Sequence, residues 1–164
     1  IDRAADLPIM LYNYPGRMGI NMGEEFLDRV GRSANFCAIK ESSGDINRVH
    51  LLARDYPHIQ MSCGMDDQAL EFFAWGAQSW ICAGSNFLPE EHIYLYETCV
   101  LQGDFAKGRR IMSAMLPTDS EVEEAVMVLT EAQKADWGPI QVKGELHDRA
   151  SYRYFFEVLR MRAK

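Results

Sequence analysis

Four short, nearly continuous apolar runs recur along the first half of the chain, at Leu7 to Asn13, Phe36 to Glu41, Ile59 to Gly64 and Ser79 to Ser85. Each is too short for a helix and close to continuously apolar, as strands of a buried parallel sheet are. Segments of helical period separate them. After the second run, Ile46, Val49, Leu52, Ala53 and Tyr56 share one face. After the third, Asp66 stands where a helix N-cap would, and Ala69, Leu70 and Phe73 follow at helical spacing. Pro89 opens the fourth helical stretch, with Glu90 and Glu91 suited to the positive end of its dipole. A strand therefore returns about every 21 to 29 positions, the rhythm of repeated βα units.

After Cys99 the strand pattern stops. Gly103 to Met115 and Glu121 to Gln133 carry helical periodicity, the latter with Val122, Ala125, Val126 and Leu129 on one stripe. Thr118 and Glu121 are spaced as a capping box. The segment from Ile140 onward is expected to be helical as well. A closed (β/α)8 barrel needs eight strands, so four leave two open parallel edges. The expectation is an α/β fold: the last four βα units of a (β/α)8 TIM barrel over residues 1–102, then a C-terminal helical extension over residues 103–164.

A chain of 164 residues can bury one ordinary core. Its formal charge of −7 argues against nucleic acid as a partner, which needs a basic face. The one basic cluster, Arg149, Arg153, Arg160, Arg162 and Lys164, reads as a solvated helix surface. No apolar stretch approaches the roughly 20 residues of a membrane span. The opening IDRAADLPIM lacks the basic n-region of a signal peptide, and its start at Ile1 leaves room for a segment upstream. Cys37, Cys63, Cys82 and Cys99 form no CxxC pair and read as reduced thiols of a cytoplasmic protein. The four histidines are scattered, so no zinc or other metal site is expected; no cofactor is expected either.

The polar residues at the carboxyl ends of the strands carry the chemistry, since barrel active sites are built on that face. Lys40 ends the second run after Phe36, Ala38 and Ile39. Two readings stand: an amine whose desolvation favours the neutral nucleophile, or a lysine that reaches solvent or pairs with Glu41. Tyr12 ends the first run and is either a proton relay or a core tyrosine. Arg17 follows a Pro-Gly turn and either holds a carboxylate or is a solvated loop residue. Ser42 and Ser43 read as helix N-caps, and Gly64 as a turn glycine or a place of close ligand approach.

Read in order, the blocks YNYPGRMG, AIKESSGD, SCGMDD and ICAGSNFLP, within about residues 7 to 102, resemble the dihydrodipicolinate synthase/N-acetylneuraminate lyase family. The resemblance implies a class I aldolase on a (β/α)8 barrel acting on pyruvate or a related 2-keto acid, often as a homo-oligomer. It implies Lys40 as the imine-forming lysine, Tyr12 as the residue that shuttles protons and positions the substrate carboxylate, and Arg17 as a carboxylate-binding residue at the entrance. Gly64 and Ile81 match positions lying against bound substrate. The Arg17 context favours a synthase or keto-acid dehydratase/deaminase over sialic acid cleavage. Two departures qualify this. The family's first four βα units, with their Gly-Thr-Thr-Gly segment, have no counterpart in the sequence. GPIQVKGEL at Gly138 to Leu146 is similar to a family helix, but the ending HDRASYRYFFEVLRMRAK replaces the usual glycine-rich one. An intact protein with about 120 further residues upstream is the expectation for an enzyme; the alternative is an inactive half-barrel serving only in assembly.

Overall fold

In the computed structural model, which describes residues 2–162, the four apolar runs line up as one parallel sheet. A short α1 (Asp2–Ala5) precedes β1 (Ile9–Asn13), and β1 is followed by α2 (Pro15–Met18) and α3 (Glu24–Val30). Then come β2 (Phe36–Glu41), α4 (Ile46–Asp55), β3 (Gln60–Cys63), a 3-10 turn at Asp66–Gln68 and α5 (Ala69–Ala74). β4 (Ser79–Trp80) leads through a second 3-10 turn, Gly84–Asn86, into α6 (Pro89–Tyr96) and a π-helical turn, Glu97–Leu101. The strands lie in chain order, β1-β2-β3-β4, every neighbouring pair parallel. This is the βα succession that the sequence predicts.

Strand alternation sorts the side chains onto two faces. Leu11, Asn13, Ile39, Glu41, Met61 and Cys63 share one face and are all at most 8% exposed. The intervening helices bury their own apolar stripes, among them Leu27, Val49, Leu52, Phe72 and Leu95. Met10, Tyr12, Ala38, Lys40, Ser62 and Ser79 share the other face. There Met10 and Tyr12 are 47% and 43% exposed, whereas Ala38 and Ser62 are buried.

Local chemistry explains where the elements differ from the sequence reading. Asp45 caps α4 by accepting from the Asn47 N–H at 3.0 Å, a role expected of Ser42 or Ser43. Ser42 instead donates to the Gly64 carbonyl, and Ser43 accepts from the Asp45 N–H. Asp66 is no helix cap either. Its buried carboxylate accepts the N–H groups of Ala83 and Gly84 at 3.2 and 2.9 Å. That capture draws the chain out of the ladder, so β4 ends at Trp80 rather than running to Ser85, with one last bond from the Ile81 N–H to the Cys63 carbonyl.

The chain divides into two compact units, Ile1–Ile111 and Met112–Lys164, the boundary falling within α7 (Phe105–Met115). In the second unit α8 (Asp119–Lys134) opens on the expected capping box. Thr118 Oγ1 accepts the Glu121 N–H at 3.3 Å, and Glu121 Oε2 accepts the Thr118 N–H at 2.7 Å. Its buried stripe is Ala125, Val128, Leu129 and Ala132; Val126, expected on it, is half exposed because it lies one position off the 125–129–132 spacing.

The segment from Ile140 is not helical at its start. β5 (Ile140–Val142) and β6 (Glu145–His147) form an antiparallel hairpin, joined by Lys143 and Gly144 at φ 50° and 87°. Two consecutive positive φ values are what a tight hairpin turn requires, and they forbid a helix there. α9 (Arg149–Arg162) follows and packs Tyr152, Phe155 and Val158 into one cluster with the α8 stripe. The basic cluster lies on a solvated face, as expected, with Arg162 exposed and Arg160 half-buried. Arg149 and Arg153 are exposed, while Arg160 pairs with Glu157 at 2.7 Å and Arg162 pairs with Asp119. Lys164 lies outside the described residues.

Candidate active site

β1 and β2 are in register with Tyr12 directly opposite Lys40, so both side chains leave the same face near the carboxyl ends of adjacent strands. Lys40 Nζ stands over the Tyr12 ring, 4.5 Å from its centroid, an attraction between a cation and the ring's negative face. Among the described residues no carboxylate lies within ion-pair distance of this ammonium. Glu41, its possible partner on sequence grounds, points to the opposite face and pairs with Arg48, Nε to Oε2 at 2.8 Å.

From Tyr12 the row continues outward. The Tyr14 ring lies 5.8 Å from that of Tyr12, and the Arg17 guanidinium lies 5.4 Å from the Tyr14 centroid. Arg17 is exposed in α2, which ends at Gly19 with φ 67°, its N–H bonded to the Pro15 carbonyl. Two cations thus flank two tyrosines at one end of the sheet.

Gly64 closes the other side. A Cβ there would lie 3.0 Å from Lys40 Cε, 2.9 Å from the Glu41 carbonyl oxygen and 1.9 Å from Ser42 Oγ. Only glycine lets the ends of β2 and β3 meet this closely. Ile81, one residue past β4, is 46% exposed. Ser62, opposite Lys40 in the register, is fully buried, and its hydroxyl has no hydrogen-bond partner among the described residues. On the opposite face of β3, burial pushes the Cys63 thiol up, which keeps it protonated. A separate groove of about 480 Å³ runs along β4 and α6, lined by Trp80, Cys82, His92 and Tyr96 among others, and includes none of Tyr12, Arg17, Lys40 or Gly64. Among the described residues no cluster of three or more His, Cys, Asp or Glu could hold a metal ion, and no helix is long and apolar enough to cross a membrane.

Behind the site sits a buried polar network absent from the sequence reading. Asn13 Nδ2 donates to both Glu41 carboxylate oxygens at 3.0 and 2.9 Å, and the Ser43 N–H donates to Oε1 at 2.8 Å. Asn13, Glu41 and Arg48 are 1%, 1% and 6% exposed. The charges are opposite and both lie near the strand-to-helix loop. No periodic rule links them, since one ends a strand and the other lies in the first turn of the next helix. Tyr14 and Ser62 were missed for the same reason: only the fold brings them beside Lys40 and Tyr12.

Comparison with known proteins bears on the family and the fold. The model of the dihydrodipicolinate synthetase family matches residues 1–135. A 4-hydroxy-tetrahydrodipicolinate synthase of Exiguobacterium sibiricum is 38% identical over 146 residues, covering 88% of this chain and 46% of that protein. The crystal structure of a dihydrodipicolinate synthase from Cyanidioschyzon merolae with lysine bound superposes with a TM-score of 0.67 at 25% identity, over 99% of this chain and 57% of its own. A prophage protein of the same family from E. coli K12, in complex with pyruvate, gives 0.65 at 22% identity, over 97% and 58%. This chain spans about half the length of the curated relatives it matches, and its sheet is part of a (β/α)8 barrel. It belongs to the dihydrodipicolinate synthetase family.

Proposed function

We propose that Lys40 forms an imine with pyruvate or a related 2-keto acid, within a lyase or synthase resembling 4-hydroxy-tetrahydrodipicolinate synthase. The observation that carries the proposal is Lys40 itself: a lysine with no carboxylate partner among the described residues, held over Tyr12 and backed by Gly64. The neutral amine attacks the ketone carbon; as the C–N bond forms the C=O π bond breaks, and the proton shed by nitrogen passes through Tyr12 to the oxygen, giving a carbinolamine. Loss of water then leaves the imine. Arg17 holds a substrate carboxylate bidentately, while Gly64 and Ile81 lie against the bound molecule. No cofactor is needed for these steps.

In this reading residues 1–102 are the last four βα units of a barrel and residues 103–164 its C-terminal extension, helical apart from the β5–β6 hairpin. The assembly is a homo-oligomer of barrels, and four free cysteines suit a reducing, cytoplasmic setting. Because Tyr12 is 43% exposed, the site on residues 1–164 alone is open to water, and turnover there is expected to be slight.

Borohydride reduction with pyruvate, read by intact mass and peptide mapping, tests the proposal. One adduct per chain at Lys40, absent from Lys40→Ala, is expected. It should form faster when the four preceding βα units of a relative are joined to the chain. Adducts scattered over surface lysines, or unchanged in the variant, would sink the assignment.

A further inference from the structure

The segment that carries Arg17 is tied at both ends to one buried carboxylate. Asn13 Oδ1 accepts the Met22 N–H at 3.0 Å, and Asn13 Nδ2 donates to Asn21 Oδ1 at 3.0 Å, closing residues 14–21 into a loop. The remaining Nδ2 hydrogen is shared by the two oxygens of Glu41. Arg48 completes the tie: Nε donates to Glu41 and Nη2 to the Met22 carbonyl, each at 2.8 Å. Both backbone groups of Met22 are therefore held by side chains anchored on β1 and α4. Between these ends the backbone hydrogen bonds are internal, from Arg17 and Met18 to Tyr14 and from Gly19 to Pro15.

We infer that Asn13, Glu41 and Arg48 are positioning residues that fix the Arg17 loop relative to Lys40. The inference rests on the reading of Arg17 as a carboxylate anchor. Asn13 directly follows Tyr12 and Glu41 directly follows Lys40, so alternation sends the reactive pair to one face and the tie to the other. A buried ion pair with additional hydrogen bonds is costly to rearrange, because any partner removed leaves a charge or donor unsatisfied. That rigidity suits a device that sets distance. The loop ends are locked to the strands bearing Tyr12 and Lys40, while the Arg17 side chain, over the Tyr14 ring, stays exposed to meet a ligand.

Asn13→Ala removes the bonds from Asn13 to Asn21, Met22 and Glu41 but leaves the link from Glu41 through Arg48 to the Met22 carbonyl; Glu41→Gln, which weakens that link as well, is the second variant. Hydrogen exchange by mass spectrometry should quicken about tenfold or more over residues 14–22 in Asn13→Ala, with β2 and α4 still protected. In borohydride trapping, the pyruvate concentration for half-maximal rate should rise about tenfold, with the saturating rate little changed. Asn13→Ala should add nothing further on an Arg17→Ala background. Unchanged exchange over residues 14–22 in both variants overturns the tie, and a full additional effect on Arg17→Ala overturns its action through Arg17. If the unaltered chain forms no Lys40 adduct, the imine reading fails instead, and the exchange measurement still decides whether the tie exists.

Discussion

Gly64 and Ser42 are locked together at the ends of β3 and β2. The Ser42 hydroxyl donates to the Gly64 carbonyl at 3.2 Å, and a Cβ on Gly64 would lie only 1.9 Å from that hydroxyl oxygen. The Glu41 carbonyl oxygen, 2.9 Å away, is backbone and cannot rotate aside. Gly64→Ala should therefore destabilise the chain by about 1–3 kcal/mol, the usual range for overpacking. Urea unfolding measures it. Ser42→Gly in the same background should restore part of the loss by removing the nearest atom, and failure to restore any would place the strain on the backbone alone.

Arg48→Met leaves the Glu41 carboxylate buried without its cation. Breaking a buried pair from one side costs about 3–5 kcal/mol, so this variant should unfold at markedly lower denaturant. The double variant Glu41→Gln, Arg48→Met should be more stable than Arg48→Met alone, as the uncompensated charge is gone. Equal stability of the two would mean that the charge is relieved by solvent.

In the second unit, hydrogen bonds from the Thr118 backbone N–H and then its hydroxyl hold the Glu121 carboxyl below the usual carboxylate range. A lowered folded-state pKa stabilises at pH above the ordinary carboxylate value and is lost as pH falls through the folded value. Glu121→Gln should thus lower the melting temperature at neutral pH, with the gap to the unaltered chain closing in strongly acid solution. A gap independent of pH would show that the box acts through shape rather than charge. Thr118→Ala should cost about 0.5–2 kcal/mol, as loss of a cap does.

Thiol labelling should sort the cysteines by burial. Cys37 is exposed, whereas Cys63 and Cys99 are buried, and burial pushes the Cys63, Cys82 and Cys99 thiols up, away from the reactive thiolate. An aromatic disulfide reagent at neutral pH is expected to find one fast thiol per chain, lost in Cys37→Ser. Cys63 should react only on unfolding. Fast reaction of Cys63 in the native chain would mean that β3 opens readily.

The sheet was legible in the sequence because strands buried between layers must be apolar throughout, and runs such as Phe36 to Ile39 have no other simple reading. The ends were harder. Asp66 matches a helix cap in local sequence, yet its carboxylate bonds to Ala83 and Gly84, a partner choice made by the fold. The Lys143–Gly144 turn was hidden because alternation over three-residue strands is too brief to outweigh the helical pattern that follows. In the site, Tyr12 and Lys40 were visible as polar tips on apolar runs. The bonds that join Asn13, Glu41 and Arg48 were not, since a buried polar residue announces itself only through the partners that satisfy it.

The order of the sheet bears on how the chain reaches its native state. Each strand is bonded to the next one in sequence, Tyr12 to Lys40, Lys40 to Ser62 and Ser62 to Ser79 in register, at separations that shorten along the chain. No loop must close across the whole unit before a pairing can form, which keeps the contact order low for a parallel sheet. The shortest closure is at the β3–β4 end, but its ladder is the briefest. The β1–β2 pairing has five register partners and the longest closure. Growth can therefore start at the middle pair and extend by one βα unit in either direction. The Lys40–Tyr12 contact, which sits on the slowest closure, would then be among the last features of the sheet to form.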